Sequence, residues 1–556
     1  MPVNEVPSSF GEADVLDVAV VGAGFAGMYM IHRLKGTGLS FRAFERGDGV
    51  GGTWFWNRYP GARCDVPSLQ YSYSFSEELE QEWEWSEKYA TQPEILAYAN
   101  HVADRFDLRS HVTFDTEIVA VVWDADSAFW TLTTSAGDSV RARFVVAAVG
   151  ALSAGKEPDI PGLESFAGMT LFTNRWPKDG VDLTGKTIGV IGTGSSGIQV
   201  IPVLAEHARE VTVYQRTPAY TLPAQNEVYD PAYLAEYKAR YREHRAKARS
   251  TRTGLLLERR PEPALSVDEA ERRRRYQECW DAGIFGCTAS AFSDIVVDIA
   301  ANETAAEFIR EQIRDIVRDP AVAEDLIPRA YPFGTRRVCL DTGYYDAFNR
   351  DDVRLVNLRR DPIVEITPQG VRTASAERRH DVLVFATGFD AITGSFTRLG
   401  IVGRGGVRLE DVWSEAPRAY LGLQVSGFPN LFTVTGPSSP SILSNVLVSI
   451  EEHVDWITEL LQHMADTGAR TVEADPEAER QWYEEAAALV EGTLYPQADS
   501  YFMGTNIPGK PRVFLPYMGG VNAYHDKITQ VARDGYTGLL FDVTASSRAA
   551  VGAEGR

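Results

Sequence analysis

Two glycine clusters with identical spacing constrain the fold of this chain more than any other feature. The first is Gly22-Ala23-Gly24-Phe25-Ala26-Gly27, and the second is Gly192-Thr193-Gly194-Ser195-Ser196-Gly197. Each follows directly after a short apolar run, residues 15–21 or 187–191, of the kind that forms a buried parallel strand. One Gly-x-Gly-x-x-Gly is weak evidence, but two of them after such runs predict two Rossmann-like units that each bind a dinucleotide.

The first unit carries the further features that FAD or NAD requires. Its glycines permit a tight turn and a close approach of the pyrophosphate, and residues 28–34 are predicted to form the helix whose N-terminus faces that phosphate. Residues 41–45 are predicted to form the second strand, which ends in Glu45, and this carboxylate can accept hydrogen bonds from ribose hydroxyls. The alternative is an accidental glycine cluster beside a surface glutamate, but the common register of strand, glycines, helix and acid favours a cofactor site.

The second unit ends differently. Its second strand, residues 211–214, is followed by Gln215-Arg216-Thr217 in place of an acid. An arginine there suits a 2′-phosphate through a bidentate, charge-assisted pair, although an ordinary exposed arginine is the alternative. The sequence therefore predicts FAD in the first unit and NADPH, rather than NADH, in the second. Residues 381–388 are predicted to form a buried strand that returns to a Rossmann sheet begun far earlier and so supports FAD, with Thr387 and Gly388 at its end.

Composition limits the partners and the location. The chain has 556 residues, 44% of them hydrophobic, which is enough for two or three domains with their own cores. The formal net charge of −22 argues against nucleic acid as a partner and favours a soluble protein. The N-terminus is acidic and polar, unlike a signal peptide, and no apolar run approaches the roughly 18 residues of a membrane span, so no membrane partner is expected.

The cysteines and histidines show no spacing typical of a redox or metal site. Four cysteines, Cys64, Cys279, Cys287 and Cys339, are scattered and form no CxxC pair, which argues against a redox disulfide and for a reducing cytoplasm. The nine histidines form no HxH or HExxH group, so no metal site is predicted, and the chain has no G-x-S-x-G nucleophile.

Changes in pattern along the chain predict an α/β protein with two Rossmann-like dinucleotide-binding domains and an inserted helical subdomain. The FAD-binding domain is predicted to combine residues 1–150 and 386–543, and the NADPH-binding domain residues 151–225 and 331–385. Residues 226–330 are charge-rich and helical in pattern and form the predicted insertion, and the arginine run at 272–275 is interpreted as a solvated helix face. Residues 544–556 are predicted to be a flexible tail.

Further segments point to one family. They are Gly51-Gly52-Thr53-Trp54 with Arg58-Tyr59-Pro60-Gly61 and Cys64-Asp65, Tyr89-Ala90-Thr91-Gln92-Pro93-Glu94, Pro332-Phe333-Gly334-Thr335-Arg336-Arg337, Gly436-Pro437-Ser438-Ser439-Pro440-Ser441 with Ser444-Asn445, and Asn506-Ile507-Pro508-Gly509-Lys510-Pro511-Arg512. With these segments the chain resembles the class B flavoprotein monooxygenases, specifically the Baeyer–Villiger monooxygenases of the phenylacetone and steroid monooxygenase type. The resemblance extends from about residue 15 to about residue 540.

The resemblance implies a reaction and a set of site residues. NADPH would reduce FAD, dioxygen would add at flavin C4a, and the resulting peroxyflavin would insert one oxygen atom next to a ketone carbonyl, giving an ester or lactone. Arg337 would stabilise the anionic peroxide and the oxyanion of its adduct, because a guanidinium keeps its proton, and Asp65 would orient Arg337. Position alone would favour a surface arginine at 337, but the surrounding segment reverses that preference. Arg336 joins Arg216 and Thr217 in a predicted clamp for the 2′-phosphate.

The predicted cofactor-binding residues come from the fingerprints and from the resemblance together. They are Gly22, Gly24, Phe25, Ala26, Gly27, Glu45, Arg46, Gly52, Thr53, Trp54, Tyr59, Asp65, Val66, Tyr71, Gly192, Thr193, Gly194, Ser195, Ser196, Gly197, Arg216, Thr217, Arg336, Thr387 and Gly388.

The chain departs from the family pattern at two positions. The family fingerprint is Phe-x-Gly-x-x-x-His-x-x-x-Trp-Pro, and this chain has Phe172 at the position of the histidine. It also has Tyr501 at the position where the C-terminal loop of the family has a tryptophan. Phe172 can neither titrate nor donate a hydrogen bond, so the coupling between flavin reduction and oxygenation is expected to differ. The Tyr501 hydroxyl can donate a hydrogen bond to a substrate or to nicotinamide.

The residues expected to line the substrate pocket are mostly apolar. They are Ser441, Ile442, Leu443, Tyr501 and Met503. They suit a bulky hydrophobic cyclic ketone, such as a terpenoid, a steroid or a macrocycle, unless they are simply core residues. Two alternatives are a monooxygenase acting on sulfur or nitrogen, and an uncoupled NADPH oxidase or flavin sensor. The expected partners are a small hydrophobic ketone and dioxygen, and the chain is expected to be a monomer or a weak homo-oligomer.

Overall fold

The computed structural model describes residues 15–543; residues 1–14 and the tail predicted at 544–556 lie outside the described residues. The strands are β1 (Val15–Val21), β2 (Phe41–Phe44), β3 (Val112–Thr113), β4 (Ile118–Asp124), β5 (Phe129–Thr134), β6 (Ser139–Ala147), β7 (Met169–Phe172), β8 (Thr187–Ile191), β9 (Glu210–Gln215), β10 (Thr221–Pro223), β11 (Cys339–Asp341), β12 (Val353–Asn357), β13 (Ile363–Thr367), β14 (Gly370–Thr373), β15 (Glu377–Arg379), β16 (Val382–Phe385), β17 (Ile401–Val402), β18 (Leu431–Thr433), β19 (Ala469–Ala474) and β20 (Leu539–Val543).

Helices cover the sheets and fill the segment between β10 and β11. They are α1 (Phe25–Leu34), α2 (Thr53–Trp56), α3 (Glu77–Glu82), α4 (Gln92–Arg105), α5 (Ser195–His207), α6 (Pro231–Ala239), α7 (Tyr241–Arg249), α8 (Glu269–Ala282), α9 (Cys287–Ser290), α10 (Ile299–Ile316), α11 (Pro320–Leu326), α12 (Tyr344–Ala347), α13 (Gly394–Thr397), α14 (Leu409–Glu415), α15 (Val446–Thr467), α16 (Pro476–Ala488) and α17 (Val521–Arg533). Among the described residues, no helix combines the length and the apolar character needed to cross a bilayer.

The first sheet carries the first fingerprint. Among the described residues it has eight strands in the order β17-β4-β5-β6-β1-β2-β3, with β18 also paired to β6. Strands β6, β1, β2 and β3 are parallel, and Val21 at the end of β1 pairs with Phe44 of β2 and Ala147 of β6. This register places the residues that follow these strands, including Gly22 and Glu45, at one edge of the sheet, where parallel α/β sheets bind ligands.

The second sheet carries the second fingerprint and is parallel throughout. Among the described residues it has five strands in the order β12-β9-β8-β16-β7. Residues 381–388 therefore contribute β16 to this sheet, between β8 and β7. The interpretation that they support the FAD unit is wrong, since β16 pairs with the strand that leads into Gly192. Together the parallel strands β6, β1, β2 and β3 and the parallel second sheet confirm the predicted α/β fold with two Rossmann-like units.

Residues 231–326 contain helices α6 to α11, while their role as an inserted subdomain stays a prediction. Aspartates cap several of these helices, and Asp298, for example, accepts a hydrogen bond from the backbone N–H of Ala301 at the start of α10. The arginine run at 272–275 lies on α8, where Arg273, Arg274 and Arg275 form ion pairs with glutamates of the same chain. The α8 arginines are thus occupied within the helical layer.

The cysteine spacing argues against a redox disulfide, but two of the four cysteines are bonded to each other. Cys279 and Cys287 are joined by a disulfide, with their Cα atoms 5.3 Å apart. Gly283 ends α8 in the left-handed conformation at φ 54°, and its N–H donates to the Cys279 carbonyl. The reversal brings the first residue of α9 against the last turn of α8, a contact that spacing rules for CxxC motifs do not detect. Cys64 and Cys339 are free and buried.

Candidate functional site

The first fingerprint forms a cradle at the edge of the first sheet. Gly22 has φ 103°, and a Cβ there would lie 2.6 Å from the Ala148 carbonyl oxygen, while a Cβ on Gly27 would overlap the Gly22 carbonyl. Gly24 is the N-cap of α1, and no described side chain caps this helix, so its first N–H groups are free to bind a phosphate.

Glu45 fixes the turns on either side of this cradle. Its carboxylate is 5% exposed and accepts hydrogen bonds from the backbone N–H groups of Ala23 and Gly47, each at 2.9 Å. A carboxylate has about four lone-pair positions, so acceptor capacity remains for ribose hydroxyls. The open glycine cradle, the uncapped helix and the anchored acid fit the adenosine and pyrophosphate of FAD.

Other predicted contacts of the first unit surround its cradle. A Cβ on Gly24 would lie 3.2 Å from the Cα of Gly52, which precedes α2 and its first residue Thr53. The Trp54 indole N–H donates to the Tyr71 hydroxyl at 3.0 Å, and both side chains are buried.

The remaining first-unit candidates lie farther along this surface. Arg46 stacks its guanidinium on Trp56 at 4.4 Å, and Phe25 and Ala26 are buried in the first turn of α1. The N–H of Val66 donates to the Cys64 sulfur at 3.4 Å.

The second fingerprint repeats this geometry at the edge of the second sheet. Gly192 has φ 109°, and a Cβ there would overlap the Ala386 carbonyl, while a Cβ on Gly197 would overlap the Gly192 carbonyl. Gly194 is the N-cap of α5, and no described atom lies within 4 Å of the position that its Cβ would take. Thr193 donates from Oγ1 to the Thr217 carbonyl at 3.2 Å, which ties the glycine turn to the end of β9.

Arginines converge beyond the end of β9. Arg216 is exposed, and no ion pair within the described residues involves Arg216, Arg336 or Arg359. Burial lowers the pKa of Arg336, and the charges of Arg216 and Arg359 lower it further. Its guanidinium stacks on the Tyr331 ring at 4.4 Å, with Nε buried and without a hydrogen-bond partner. Unpaired cations gathered at this point fit a dianionic 2′-phosphate.

Arg359 was missed by the sequence analysis. It follows β12, which lies next to β9, and its Nε donates to the Arg216 carbonyl at 3.1 Å. Only the pairing of β12 with β9 places this arginine beside Arg216, and the pairing joins strands that are far apart in the sequence. Lys156 is a second cation nearby, since the charge of Arg216 adds to burial in lowering its pKa.

Asp65 and Arg337 form the central ion pair of the site. Arg337 Nε donates to Asp65 Oδ2 at 2.9 Å and Nη2 donates to Asp65 Oδ1 at 2.5 Å, in a two-pronged geometry. Arg337 Nη1 donates to the Ile442 carbonyl at 3.2 Å. Burial alone would lower the pKa of Arg337, but the Asp65 carboxylate and Tyr501 outweigh it and the net pKa is raised. Arg337 therefore stays charged at any working pH.

This ion pair lies where the two sheets approach each other. Arg337 is two residues before Cys339 in β11, and the Cys339 thiol donates to Ser195 Oγ of the second fingerprint at 3.0 Å. Tyr59, from the segment before Asp65, donates to Gln199 of α5 at 2.7 Å and lies beside Ser196. A cation fixed between two dinucleotide-binding units can stabilise negative charge that develops on a substrate bound between them.

A phenyl ring covers one side of Arg337. The Phe285 ring centroid lies 4.5 Å from Arg337 Cζ. Phe285 is contributed by the turn between α8 and α9, and nothing in the sequence pattern of that turn signals a contact with residue 337.

The predicted substrate-lining residues fall into two groups. Ile442, Leu443 and Tyr501 are partly exposed and pack together near Arg337. Ser441 is fully buried with φ 40° and Met503 is 5% exposed, so neither presents a surface in this conformation. Burial raises the pKa of the Tyr501 hydroxyl, which lies beside the Arg337 guanidinium.

The last predicted contacts lie on the linker after β16. The Thr387 hydroxyl donates to the Lys156 carbonyl at 3.0 Å, and the Gly388 carbonyl accepts from the Lys156 N–H at 3.0 Å. The loop at 506–512 covers this linker, with the Asn506 side chain donating to the Phe389 carbonyl at 2.7 Å.

Phe172, the first departure from the family pattern, is packed rather than free. Its ring stacks on Phe385 at 5.2 Å, and Arg175 Cζ lies 3.9 Å from its centroid. Its effect on coupling stays a prediction. Among the described residues, no cluster of three or more His, Cys, Asp or Glu side chains could hold a metal ion.

Comparison with known proteins shows that the chain is similar to flavin- and nicotinamide-dependent oxidoreductases. A family model described as pyridine nucleotide-disulphide oxidoreductase matches residues 19–252. The chain is 40% identical to a Baeyer–Villiger monooxygenase of Pseudooceanicola batsensis, over 95% of this chain and 97% of that protein. It is 42% identical to the phenazine N-monooxygenase PhzNO1 of Lysobacter antibioticus, over 96% of this chain and 98% of that protein.

Solved structures show the same likeness. An oxidised steroid monooxygenase bound to NADP is 50% identical, with a TM-score of 0.91 over 95% of this chain and 99% of that chain. The OTEMO complex with FAD and NADP is 40% identical, with a TM-score of 0.92 over 95% of this chain and 99% of that chain. Identity at this level over nearly the whole length shows the family, and the cradles described above fit both cofactors. The chain belongs to the Baeyer–Villiger monooxygenases, enzymes that use FAD and NADPH.

Proposed function

We propose that this enzyme inserts oxygen beside the carbonyl of a bulky hydrophobic ketone, with Arg337 as the catalytic cation and Asp65 as the residue that holds it. The observation that carries the proposal is the two-pronged Asp65–Arg337 pair between the two glycine cradles. The first cradle would hold FAD, which would supply the activated oxygen once NADPH has reduced it. The predicted contact residues around Gly22 and Glu45 bind FAD, and those around Gly192 and Arg216 bind NADPH.

The chain's own residues perform three tasks in this proposal. Arg337 presents a permanent positive charge to a substrate carbonyl oxygen, which gains negative charge during oxygen insertion. Asp65 fixes the guanidinium plane through two hydrogen bonds and keeps the site near electrical neutrality. Phe285 and Tyr501 flank Arg337 and reduce the access of water, which strengthens the electrostatic interactions inside.

The proposed substrate class rests on the partly exposed apolar side chains around Arg337. Ile442, Leu443, Tyr501 and Phe285 offer apolar surface to a large ring system, and the charge of Arg337 beside them is paired with Asp65. The 50% identity to a steroid monooxygenase supports the same class. The substrate is accordingly a steroid, terpenoid or macrocyclic ketone in preference to a short acyclic one.

A ketone panel tests this proposal. FAD-loaded enzyme receives NADPH, oxygen and, in parallel, a steroid ketone, a macrocyclic ketone, cyclohexanone and acetone. Mass spectrometry detects insertion of one oxygen atom, and a peroxide assay measures NADPH spent without product. We expect kcat/KM for the large rings to exceed that for acetone by about 100-fold, since each extra buried methylene contributes about 0.8 kcal/mol. Equal values across the panel would refute the substrate class, and absence of any oxygenated ketone product would refute the reaction.

Oxygenation of nitrogen is a second candidate, favoured by one observation. A relative 42% identical over nearly its whole length is a phenazine N-monooxygenase. Adding phenazine and a thioether to the panel separates the candidates. A heteroatom oxide formed with a higher kcat/KM than any lactone or ester would make this second function the main one.

The division into domains, the assembly and the location also belong to the proposal. Residues 1–150 with 386–543 would form the FAD-binding domain, which agrees with the positions of β1 to β6, β17 and β18 in one sheet. Residues 151–225 with 331–385 would form the NADPH-binding domain, and 226–330 the helical insertion. The enzyme would act in the cytoplasm, as a monomer or weak homo-oligomer. Light scattering over a range of protein concentrations checks the oligomeric state.

A further inference from the structure

The disulfide between Cys279 and Cys287 encloses the turn that contacts the catalytic arginine. Cys279 lies in the last turn of α8, Cys287 is the first residue of α9, and Phe285 lies between them. Gly283 cannot be replaced without strain, because a Cβ there would overlap the Ala224 carbonyl. Two features therefore restrain the backbone of this turn: the close packing of Gly283 against the Ala224 carbonyl and the bond between Cys279 and Cys287.

The enclosed turn is also tied to the segment that carries the family motif around Tyr89. The Tyr89 hydroxyl donates to the Gly283 carbonyl at 2.5 Å, and Lys88 Nζ donates to the Ala282 carbonyl at 2.6 Å. Phe285 packs against both large hydrophobic cores and lies 4.5 Å from Arg337 Cζ. The turn therefore links the helical layer to Arg337.

The two cysteines of this bond differ in exposure. Cys279 is 4% exposed, whereas Cys287 is partly exposed. Because a thiolate attacks a disulfide at a sulfur that it can reach, the partly exposed residue of the pair, Cys287, is the one that favours attack. In thiol–disulfide exchange the accessible sulfur is attacked, and the other sulfur is the leaving group. A pair with one exposed and one buried cysteine suits this reaction.

We propose that Cys279 and Cys287 form a reversible redox modification site, which takes dithiols as reductant and small disulfides as oxidant and holds Phe285 against Arg337 in its oxidised form. The link to ketone oxygenation rests on the proposed function, because it uses Arg337 as the catalytic cation. No other part of the described chain couples a disulfide to the site, since Cys64 and Cys339 are free thiols.

The exchange balances without the flavin. A thiolate of the dithiol attacks the Cys287 sulfur, the bond between the protein sulfurs breaks, and the Cys279 sulfur leaves as a thiolate that takes a proton. The second thiol of the reductant then displaces Cys287 and closes the reductant's own disulfide. Two electrons and two protons pass from the reductant to the protein, and a small disulfide reverses the reaction by the same steps.

Reduction removes the covalent closure of the turn and lets Phe285 move away from Arg337. Loss of one cation–π contact of about 1 kcal/mol corresponds to a factor of about five. We expect kcat/KM for the ketone to fall about fivefold on reduction. The rate of flavin reduction by NADPH should stay unchanged, because the contact that reduction weakens is the one between Phe285 and Arg337.

The experiment uses the FAD-loaded enzyme in two redox states. One sample is equilibrated with oxidised glutathione, the other with dithiothreitol, and both are desalted. N-ethylmaleimide labelling after denaturation and intact mass give the number of free thiols, and peptide mapping locates the bond. Hydrogen exchange of residues 283–287 reports the order of the turn independently of activity, and ketone kcat/KM and NADPH-dependent flavin reduction are measured on the same samples.

Two variants separate the contributions. Phe285→Leu should change its label count on reduction as the wild type does, yet show no redox effect on ketone kcat/KM, whereas Phe285→Tyr should retain that effect. Cys287→Ser should show no response to dithiothreitol in any measurement. If that variant fails to fold, the comparison of the two wild-type samples carries the test alone.

The expected result is two labelled thiols after oxidation and all four after reduction, with faster exchange at 283–287 and the fivefold loss of kcat/KM. Four labelled thiols in both samples would overturn the proposal. A change in label count with equal kcat/KM would overturn the link to the active site. A redox-dependent label count and exchange rate without product from any ketone would instead refute the proposed function and, with it, that link.

Discussion

Asp65→Asn is the substitution that isolates the clamp on Arg337. An asparagine has the same shape and offers one oxygen acceptor, so one of the two charge-assisted hydrogen bonds, at 2.9 and 2.5 Å, is lost. Such a bond contributes about 1.5–3 kcal/mol. The side chains of Arg337 and Asp65 are 22% and 17% exposed. Because solvent screens a partly exposed pair, we expect the substitution to remove about 1.5–2 kcal/mol of transition-state stabilisation. This corresponds to a decrease of about 10- to 30-fold in rate.

The assay separates oxygenation from flavin reduction. Anaerobic mixing with NADPH, followed by the flavin absorbance, should give a reduction rate within about twofold of the wild type, because the Asp65 carboxylate accepts its hydrogen bonds from Arg337. Turnover with a ketone should fall by the 10- to 30-fold worked out above, with peroxide replacing product. Asp352→Asn is the matched control, since Asp352 forms the same two-pronged pair with Arg350, at 2.9 and 2.9 Å, away from the site.

One outcome would refute the reasoning. If Asp65→Asn formed product within threefold of the wild type while Asp352→Asn was also unaffected, orientation of Arg337 by Asp65 would not limit oxygenation. A drop in flavin reduction equal to the drop in turnover would show that Asp65 acts on the cofactors and not on the oxygenation step.

Three further predictions follow from the cofactor cradles and one buried histidine. Glu45→Gln should raise the Kd of FAD by about 10- to 100-fold, since hydrogen bonds to a charged acceptor are lost; titration of apoprotein checks it, and an unchanged Kd would contradict it. Arg216→Ala combined with Arg336→Ala should reduce the preference for NADPH over NADH by about 100-fold in kcat/KM, with exposed Arg354→Ala as the control, and a preserved preference would rule out the arginine clamp. Burial lowers the pKa of His453 to about 3 from an ordinary 6.5, so the unfolded chain binds a proton that the folded chain does not. The free energy of unfolding should therefore fall by about 4 kcal/mol as pH drops from 6.5 to 3, with no further loss from this group below 3. His453→Gln should flatten that dependence in denaturant melts, and an equally steep acid limb would disprove the assignment.

Local patterns predicted the cofactor cradles well. The strands at 15–21 and 187–191 have the bounds of β1 and β8, and the helix predicted at 28–34 is the later part of α1, which begins at Phe25 because Gly24 already serves as its N-cap. These elements are short-range: strand, glycine turn and helix follow each other within about 20 residues, so their geometry depends on neighbours in sequence.

Long-range pairing set the limit of prediction from sequence. The apolar run at 381–388 does not specify which of the two Rossmann sheets it joins. Its interpretation as support for the FAD unit is therefore wrong, although the predicted domain bounds assign residues 331–385 to the NADPH-binding domain. Arg359 escaped notice because its place beside Arg216 depends on β12 pairing with β9.

The amino-acid sequence by itself determined the two dinucleotide units and the family, because both rest on contiguous motifs whose backbone conformation their own residues impose. Only the tertiary structure decided that Asp65 meets Arg337, that Phe285 covers the guanidinium, and that Cys279 meets Cys287. The first two contacts join residues brought together by packing of whole sheets and helices, and the third depends on a left-handed turn at Gly283. Such contacts are selected by the burial and hydrogen bonding of the complete fold, which no local stretch of chain contains.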